Sequence, residues 1–422
     1  MKALRSLTKL LGVSLLIVAL YAALINSSCG GRAAEENRTD SPTEGGESAF
    51  PAYSDPAWRI LSEMSLDEKI GQLLLVQLRY DTRGQGLLEL GEAEKALLGD
   101  LAPGGVILFR ENMDETEQLV NLNRGIIQHS SYPPFIAADE EGGLVRRLPR
   151  SGKIPVTPVP SAEEIARHGT EHLRRLYGIL ARELRVLGFN MNFAPVADIQ
   201  SDPDNELVAT RSFGTTPEEV IPYIRSAVEA LQEQGVISVL KHFPGHGESS
   251  GDSHYEVISL PFNLDRLREV ELKPFQAGIL AGALGIMTAH LYFPEIEPRN
   301  IPASLSPVFN RDLLRQEMGF NGIIITDALE MQGLRAVDSP EEAGVMAIEA
   351  GSDMLLIPPS PYAQRDAIRT AVIRREISPR RLDEAVHRII SVKITQGIWY
   401  NQDMPDLQKA RNLLGREGEP QN

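Results

Sequence analysis

A stretch of fourteen residues, KHFPGHGESSGDSH at positions 241–254, contains three of the eight histidines in the chain. These residue types allow metal binding, and a helical His-x3-His spacing would place His242 and His246 on one face. Pro244 and the glycines on either side of His246 predict a loop instead, so the helical argument for a metal fails. A phosphate-binding loop would need a Lys-Ser/Thr pair leading into a helix, and the stretch has no such pair.

Acid/base chemistry fits the same stretch better. An imidazole titrates near pH 6.5, so it can donate and recover a proton at neutral pH. Asp252 stands two positions before His254 and can accept an imidazole N–H, which would orient the ring and stabilise its charged form. Because Asp-x-His occurs often by chance, the hypothesis depends on what surrounds the pair.

Short apolar runs alternate along the chain with amphipathic stretches of helical period. Continuous apolarity indicates strands buried on both faces, as in a parallel sheet covered by helices. The pattern predicts a single-domain (β/α)8 TIM-type barrel, although an open doubly wound sheet would give similar local signals. The eight runs are residues 73–78, 105–109, 135–138, 189–194, 236–240, 285–289, 322–326 and 353–357.

Chemically active side chains follow most of these runs. In a barrel such positions lie at the C-terminal ends of the strands, where active sites are built. Any one of them could simply be a polar strand end at the surface, but five of eight with both signs of charge predict a shared pocket. The five are Arg110, Asp139, Lys241, His290 and Asp327, and Asp198 shortly follows the fourth run.

Ordered segments from about residue 57 to 400 resemble the bacterial exo-β-N-acetylglucosaminidases of glycoside hydrolase family 3. They read GGVILFREN, DEEGGLVRRL, FAPVADI, RSFG, KHFPGHGESSGDSH, MTAHLYFP, PASLSP and IITDALEMQG. The resemblance implies a single-domain (β/α)8 barrel that removes a terminal β-linked N-acetylglucosamine with retention of anomeric configuration. It implies neither a cofactor nor a metal.

The resemblance also implies roles for individual residues. Asp327 matches the nucleophile, His254 the general acid/base, and Asp252 the partner that polarises this histidine. Glu248 departs from the family, which commonly has Asp there. Five further residues match those that hold the sugar next to the cleaved bond: Asp139, Arg147, Arg211, Lys241 and His242.

These roles agree with the chemistry of retaining hydrolysis, which needs a carboxylate nucleophile and a proton donor near the leaving oxygen. A nearby Lys241 or Arg211 would keep Asp327 ionised. The helper residues have plainer alternatives: Asp139 and Arg147 as a surface ion pair, and His242 as a core histidine.

Other functions remain open at this point. The same residues could serve a phosphorylase, because a histidine repels an incoming phosphate less than a carboxylate would. A β-glucosidase of the same fold and a non-catalytic sugar-binding lipoprotein are further alternatives. A formal net charge of -16 argues against nucleic acid as a partner, so an N-acetylglucosamine-containing oligosaccharide is expected.

The N-terminus predicts export. Lys2, Arg5 and Lys9 precede an apolar run at residues 10–25, and small residues lead to Cys29, the one cysteine of the chain. The order resembles a bacterial lipoprotein signal with Cys29 lipidated, although Asn26 stands where Leu is preferred. An uncleaved membrane anchor is the alternative, and a single cysteine excludes an internal disulfide.

The predicted organisation has four parts. Residues 1–29 form the signal segment, 30–54 a disordered tether rich in Gly, Ser, Pro and Glu, 55–400 the catalytic barrel, and 401–422 a C-terminal tail. The mature protein is expected to be a monomeric lipoprotein on the periplasmic or cell-surface side. Its N-terminal lipid or anchor would attach it to the membrane.

Overall fold

Eight parallel strands form the central sheet. Seven of them lie within a predicted apolar run, and the fifth, Ile237–Phe243, begins in the run 236–240 and extends three residues beyond it. A parallel bridge between Ile325 and Met354 brings the last two strands together, so the sheet closes on itself. The predicted (β/α)8 barrel is therefore confirmed. In spatial order the strands are β1 (Leu74–Gln77), β2 (Gly105–Ile107), β3 (Phe135–Ala138), β4 (Met191–Asn192), β5 (Ile237–Phe243), β7 (Gly285–Thr288), β9 (Ile323–Thr326) and β10 (Leu355–Leu356), which returns to β1.

This computed structural model describes residues 55–148, 152–202, 205–247, 257–334, 337–400 and 404–415, which belong to one compact unit. The signal segment with Cys29, the tether, and the loop that carries Glu248, Asp252 and His254 lie outside the described residues. Across the described ranges, no helix is both long and apolar enough to cross a membrane.

The strands are mostly apolar because both of their faces are covered. All four residues of β9, for example, are fully buried. The covering helices begin and end at recognisable signals: the Thr216 side chain accepts the N–H of Glu219 at the start of a helix that opens with Pro217, and Gly188 with φ 101° follows the end of another.

The helices lie mostly between consecutive strands. They are α1 (Pro56–Glu63), α2 (Leu66–Gln72), α3 (Glu92–Asp100), α4 (Thr116–His129), α5 (Ala162–Ala166), α6 (Thr170–Leu187), α7 (Glu206–Ala209), α8 (Pro217–Gln232), α9 (Leu264–Glu269), α10 (Leu272–Leu280), α11 (Pro340–Ala350), α12 (Pro361–Ile373), α13 (Pro379–Thr395) and α14 (Leu407–Leu413). The described residues also form a π-helix (Val308–Glu317), 3-10 turns at Arg110–Asn112, Ala303–Leu305 and Gln332–Leu334, and a two-stranded sheet of β6 (Ile258–Ser259) and β8 (Leu291–Tyr292).

Helix α14 lies within the stretch predicted as a C-terminal tail. It packs against α4 and α6, and its Ala410 is fully buried. Just before it, the carbonyl of Pro405 accepts a hydrogen bond of 2.7 Å from Arg124 Nε. The part of the tail that the structure describes is therefore an integral part of the barrel's outer layer.

Buried charges also occupy the N-terminal end of the barrel. Asp353, which is fully buried just before β10, contacts Arg315, Arg381 at 3.3 Å and Arg388 at 3.2 Å. It also accepts the backbone N–H of Ile324 at 2.9 Å. This cluster ties the π-helix and α13 to the first residues of β9 and β10.

Candidate active site

The C-terminal ends of the strands surround a cavity of about 410 Å³. Its volume falls within the range of small-molecule sites, about 300–1,000 Å³. The apolar side chains of Ile107, Met287 and Leu356 contribute to its wall. All six predicted site residues that fall in the described ranges line it: Asp139, Arg147, Arg211, Lys241, His242 and Asp327.

Lys241 lies at the centre of a buried charge network in this cavity. Its ammonium group is 2.9 Å from Asp139 and 2.6 Å from a second carboxylate, Glu141. Arg147 reaches the other oxygen of Asp139 at 3.0 Å. Burial alone would raise the pKa of Asp139, but the charges of Lys241 and Arg147 lower it well below its ordinary value. Asp139 and Arg147 are thus part of the cavity and not a pair on the outer surface.

Glu141 completes the network through a two-point contact with Arg211. Arg211 Nε and Nη2 donate hydrogen bonds of 2.8 and 2.7 Å to the two carboxylate oxygens. Burial works against ionisation of Glu141, yet Arg211 and Lys241 together lower its pKa to about 2. The sequence interpretation missed Glu141. A signal was present, since residues two apart in an extended segment share a face and Glu141 stands two positions after Asp139.

The segment after β3 explains how these side chains are presented. Glu140 points the opposite way from its neighbours, and its carboxylate accepts the backbone N–H of Arg147 and, at 2.8 Å, that of Leu148. Gly142 has φ +104°, and a Cβ atom there would lie 2.3 Å from the carbonyl oxygen of Pro160. Glycine at this turn therefore lets the chain fold back and bring Arg147 to Asp139.

Asp198, which follows β4, holds the start of the histidine-rich stretch. Its Oδ2 lies 2.7 Å from His242 Nδ1, and its Oδ1 accepts the backbone N–H groups of His242 at 3.2 Å and His246 at 2.9 Å. Burial would raise the pKa of Asp198, but the two histidines and the N–H of His246 lower it to about 2. Burial and the neighbouring His242 lower the pKa of His246.

The glycines of this stretch are required by close packing. Gly245 has φ +135°, and a Cβ there would lie 2.8 Å from the Cβ of Glu271. A Cβ on Gly247 would lie 1.5 Å from the carbonyl oxygen of Ile199. The described part of the loop therefore sits tightly on its neighbours, and it leads directly to the segment that carries Asp252 and His254.

Asp327 follows the last residue of β9 and is only 9% exposed. Its backbone N–H donates to the carbonyl of Thr288 at 2.9 Å, and its Oδ1 accepts the N–H of Ala328 at 2.8 Å. The strand end and these two hydrogen bonds fix the carboxylate at the cavity. The cations expected beside it line the same cavity, where Lys241 and Arg211 form their ion pairs with Asp139 and Glu141.

One strand-end residue does not take the place that the sequence suggested. His290 is fully buried, and its ring nitrogens lie 2.7 Å from Ser304 Oγ and 3.1 Å from the carbonyl oxygen of Ala328. Through this contact with the Ala328 carbonyl, His290 holds the backbone next to Asp327. Arg110, which was expected at the site, does line the cavity.

The cavity wall also includes residues to which the sequence gave no role. Arg79 pairs with Glu111 at 3.0 Å and lies over the ring of Phe109, with 4.7 Å between its guanidinium carbon and the ring centroid. Glu330 accepts a hydrogen bond of 3.0 Å from Gln77. Among the described residues, no group of three or more His, Cys, Asp or Glu side chains is arranged to hold a metal ion.

Comparison with known proteins identifies the family. The model of the glycosyl hydrolase family 3 N-terminal domain matches residues 65–392. Beta-hexosaminidase A of Pseudoalteromonas piscicida is 32% identical over 322 residues, which cover 70% of this chain and 54% of that protein. The beta-hexosaminidase of Idiomarina loihiensis is 35% identical over 285 residues, which cover 67% of this chain and 84% of that protein.

A solved structure shows the same relationship. The glycoside hydrolase family 3 beta-N-acetylglucosaminidase from Paenibacillus sp. str. FPU-7 superimposes with a TM-score of 0.74 and 34% identity, covering 83% of this chain and 68% of that one. The matched part of this chain spans about half the length of the Pseudoalteromonas piscicida protein and most of the length of the Idiomarina loihiensis protein. Because the family match covers most of the sequence, the chain belongs to glycoside hydrolase family 3 and is a glycoside hydrolase.

Proposed function

We propose that the protein is a retaining exo-β-N-acetylglucosaminidase that acts on peptidoglycan fragments or chitooligosaccharides. One observation carries the proposal: Asp327 lines the same small cavity as the ion-paired group of Asp139, Lys241, Glu141 and Arg211. Such a group can hold a polar sugar through several directed hydrogen bonds while a fixed carboxylate faces it. The relatives named beta-hexosaminidase support N-acetylglucosamine as the sugar.

The exo-acting mode of cleavage is proposed on the family resemblance, which implies removal of a terminal N-acetylglucosamine. Buried side chains inside the barrel form the floor of the cavity, as they do in barrels of this type generally.

In the proposed first step, an Asp327 oxygen attacks the anomeric carbon as the glycosidic oxygen leaves with a proton, and a covalent glycosyl-enzyme forms. We propose, on the sequence pattern and the family resemblance, that His254 donates this proton and that Asp252 polarises the histidine. In the second step the histidine removes a proton from water as the water oxygen attacks the anomeric carbon, and the bond to Asp327 breaks, so the sugar is released with its original configuration. The stretch that carries this segment begins at the cavity with Lys241 and His242, and the segment follows Gly247 in the sequence.

The direct test is an assay with a chromogenic β-N-acetylglucosaminide beside the matching β-glucoside, each with and without inorganic phosphate. The proposal expects preference for the N-acetylated substrate and free N-acetylglucosamine as product in both buffers. A sugar 1-phosphate would identify a phosphorylase, and preference for the glucoside would identify a β-glucosidase. Binding of N-acetylglucosamine without turnover of either substrate would identify a sugar-binding protein instead of an enzyme.

We also propose that the protein is exported as a monomer and attached to a membrane through a lipid on Cys29. The order of basic residues, apolar run and cysteine supports this location. A Cys29→Ser variant should lose metabolic lipid labelling and leave the membrane fraction. If the variant stays in the membrane uncleaved, the apolar segment is a helical anchor and lipidation is not the means of attachment.

A further inference from the structure

Asp198, to which the sequence gave a position near the pocket but no role, contacts the site through His242. It is 1% exposed, and three hydrogen-bond donors surround its two oxygens: the ring of His242 and the backbone N–H groups of His242 and His246. An ionised carboxylate can only accept hydrogen bonds. The ring nitrogen that faces it, His242 Nδ1, must therefore carry a proton.

In the neutral ring, that arrangement decides the role of the other nitrogen. In a neutral imidazole only one nitrogen carries a proton, and the other accepts. With Nδ1–H directed at Asp198, Nε2 is an acceptor on the side of the ring away from the buried carboxylate. His242 lines the cavity, and its side chain is 12% exposed.

The neighbouring cations make such an acceptor useful. Arg147, Arg211 and Lys241 can only donate hydrogen bonds, and the carboxylates Asp139 and Glu141 already accept from them. A sugar hydroxyl that accepts from one of these cations still has its own proton to donate. An acceptor at His242 Nε2 would receive that proton.

We propose that Asp198 is a positioning residue that holds His242 with its Nδ1 protonated, so that Nε2 accepts a hydrogen bond from a hydroxyl of the bound sugar. This inference rests on the proposed function for its ligand, but the state of the ring does not depend on any substrate. Asp198 acts on the sugar only through His242.

The ring state can be measured by nitrogen NMR on protein labelled at histidine, above neutral pH and without ligand. A His242→Gln variant identifies the resonances of His242. The expected result for the wild-type protein is a neutral ring with the proton on Nδ1. A proton on Nε2, or on both nitrogens, would overturn the inference even if no variant of Asp198 folds.

An Asp198→Asn variant provides the second test. The amide oxygen can still accept the two backbone N–H groups, while the amide N–H should face Nδ1 and move the ring proton to Nε2. A hydroxyl between two donors leaves a hydrogen bond unmade, so kcat/KM should fall about 10- to 100-fold. An unchanged ring state in a folded Asp198→Asn protein would contradict the inference.

Glu140→Gln is the matched control. Glu140 is also a fully buried carboxylate that accepts two backbone N–H groups of a loop at the site, those of Arg147 and Leu148, but these contacts involve no ring of the cavity. The inference expects the His242 ring to keep its state in this variant, and a change would show that loop disturbance alone moves the proton. A wild-type protein that cleaves neither chromogenic substrate would overturn the proposed function and leave the ring measurement standing.

Discussion

The two ends of the barrel both bury charged side chains, but the surroundings of those charges differ. At the C-terminal end, Asp139 and Glu141 share Lys241, and their group lines a cavity. At the N-terminal end, Asp353 is fully buried among three arginines that tie helices to strands. The charged groups at the C-terminal end line a cavity that can hold a ligand. Those at the N-terminal end contact each other and hold helices against strands.

Lys393 shows this structural use of a buried charge most clearly. It is fully buried, and its Nζ donates a hydrogen bond of 2.7 Å to Gln72 Oε1. The same Nζ lies 5.0 Å from the centroid of the Phe135 ring. Burial lowers the pKa of Lys393 to about 7, whereas Lys241 is enclosed by two carboxylates. A buried lysine therefore indicates a candidate site here only where carboxylates and a cavity accompany it.

The largest effect on activity is expected from Asp327→Ala. Loss of the nucleophile should reduce kcat/KM by about 10⁴-fold or more. The melting temperature should change by only a few degrees, because the side chain lies at the cavity and not in the packed core. Steady-state kinetics and thermal denaturation of the same preparation give both numbers. Near-normal hydrolysis would show that the nucleophile is another residue.

His254→Ala should separate substrates by leaving group. A general acid contributes about 10²–10⁴-fold when the leaving group departs as a strongly basic alkoxide, so glycosylation with natural sugar leaving groups should fall by that amount. A nitrophenyl group is stable as an anion, so that substrate should lose much less. Asp252→Ala should give the same pattern more mildly. Equal losses for both substrates in single-turnover measurements would mean that the proton comes from elsewhere.

Asp353→Ala should mainly lower the free energy of unfolding, whereas Asp327→Ala should mainly lower activity. Three arginines would lose their buried carboxylate, and breaking a buried pair costs about 3–5 kcal/mol. Urea unfolding measures the change in free energy. Glu163→Ala is the matched control, because Glu163 pairs with Arg167 on an exposed helix surface and should cost less than about 1 kcal/mol. Similar costs for the two variants would contradict the structural role of Asp353.

Lys393→Met should change how stability depends on pH. The unfolded chain keeps the lysine proton up to about pH 10.5, while the folded protein loses it near pH 7. Between these values the unfolded state binds more protons, so this group makes the wild-type protein more stable as pH rises. The variant should lack this contribution to the rise of stability with pH. Near and below pH 7 its free energy of unfolding should be higher than that of the wild-type protein, reduced by the cost of leaving the Gln72 acceptor unpaired. Urea unfolding at several pH values checks this, and parallel curves would count against it.

The sequence predicted the parts of the fold that depend on local pattern. Continuous apolar runs gave all eight barrel strands, because strands covered on both faces have no polar alternation to disguise them. Helix α14 was missed because its stability comes from contacts distant in sequence, such as the one between Arg124 and Pro405. A short helix of this kind has little signal of its own.

The site was predictable where a residue follows a strand, as Asp139, Lys241 and Asp327 do. Glu141 was missed although its spacing from Asp139 placed both on one face, because its contact with Arg211, 70 positions away along the chain, has no local signal. His290 also follows a strand, but its ring turns toward Ser304 and the backbone instead of the cavity. Which way a strand-end side chain points depends on packing, and the spacing of residues does not encode it.

Trapping the covalent intermediate tests directly whether Asp327 is the nucleophile. A 2-deoxy-2-fluoro glycoside or another slow fluorinated substrate should accumulate as a glycosyl-enzyme, and peptide mass spectrometry should locate the sugar. One label per chain is expected on Asp327, and none on the Asp327→Ala variant. A label on Glu141 or Glu330, which line the same cavity, would contradict it.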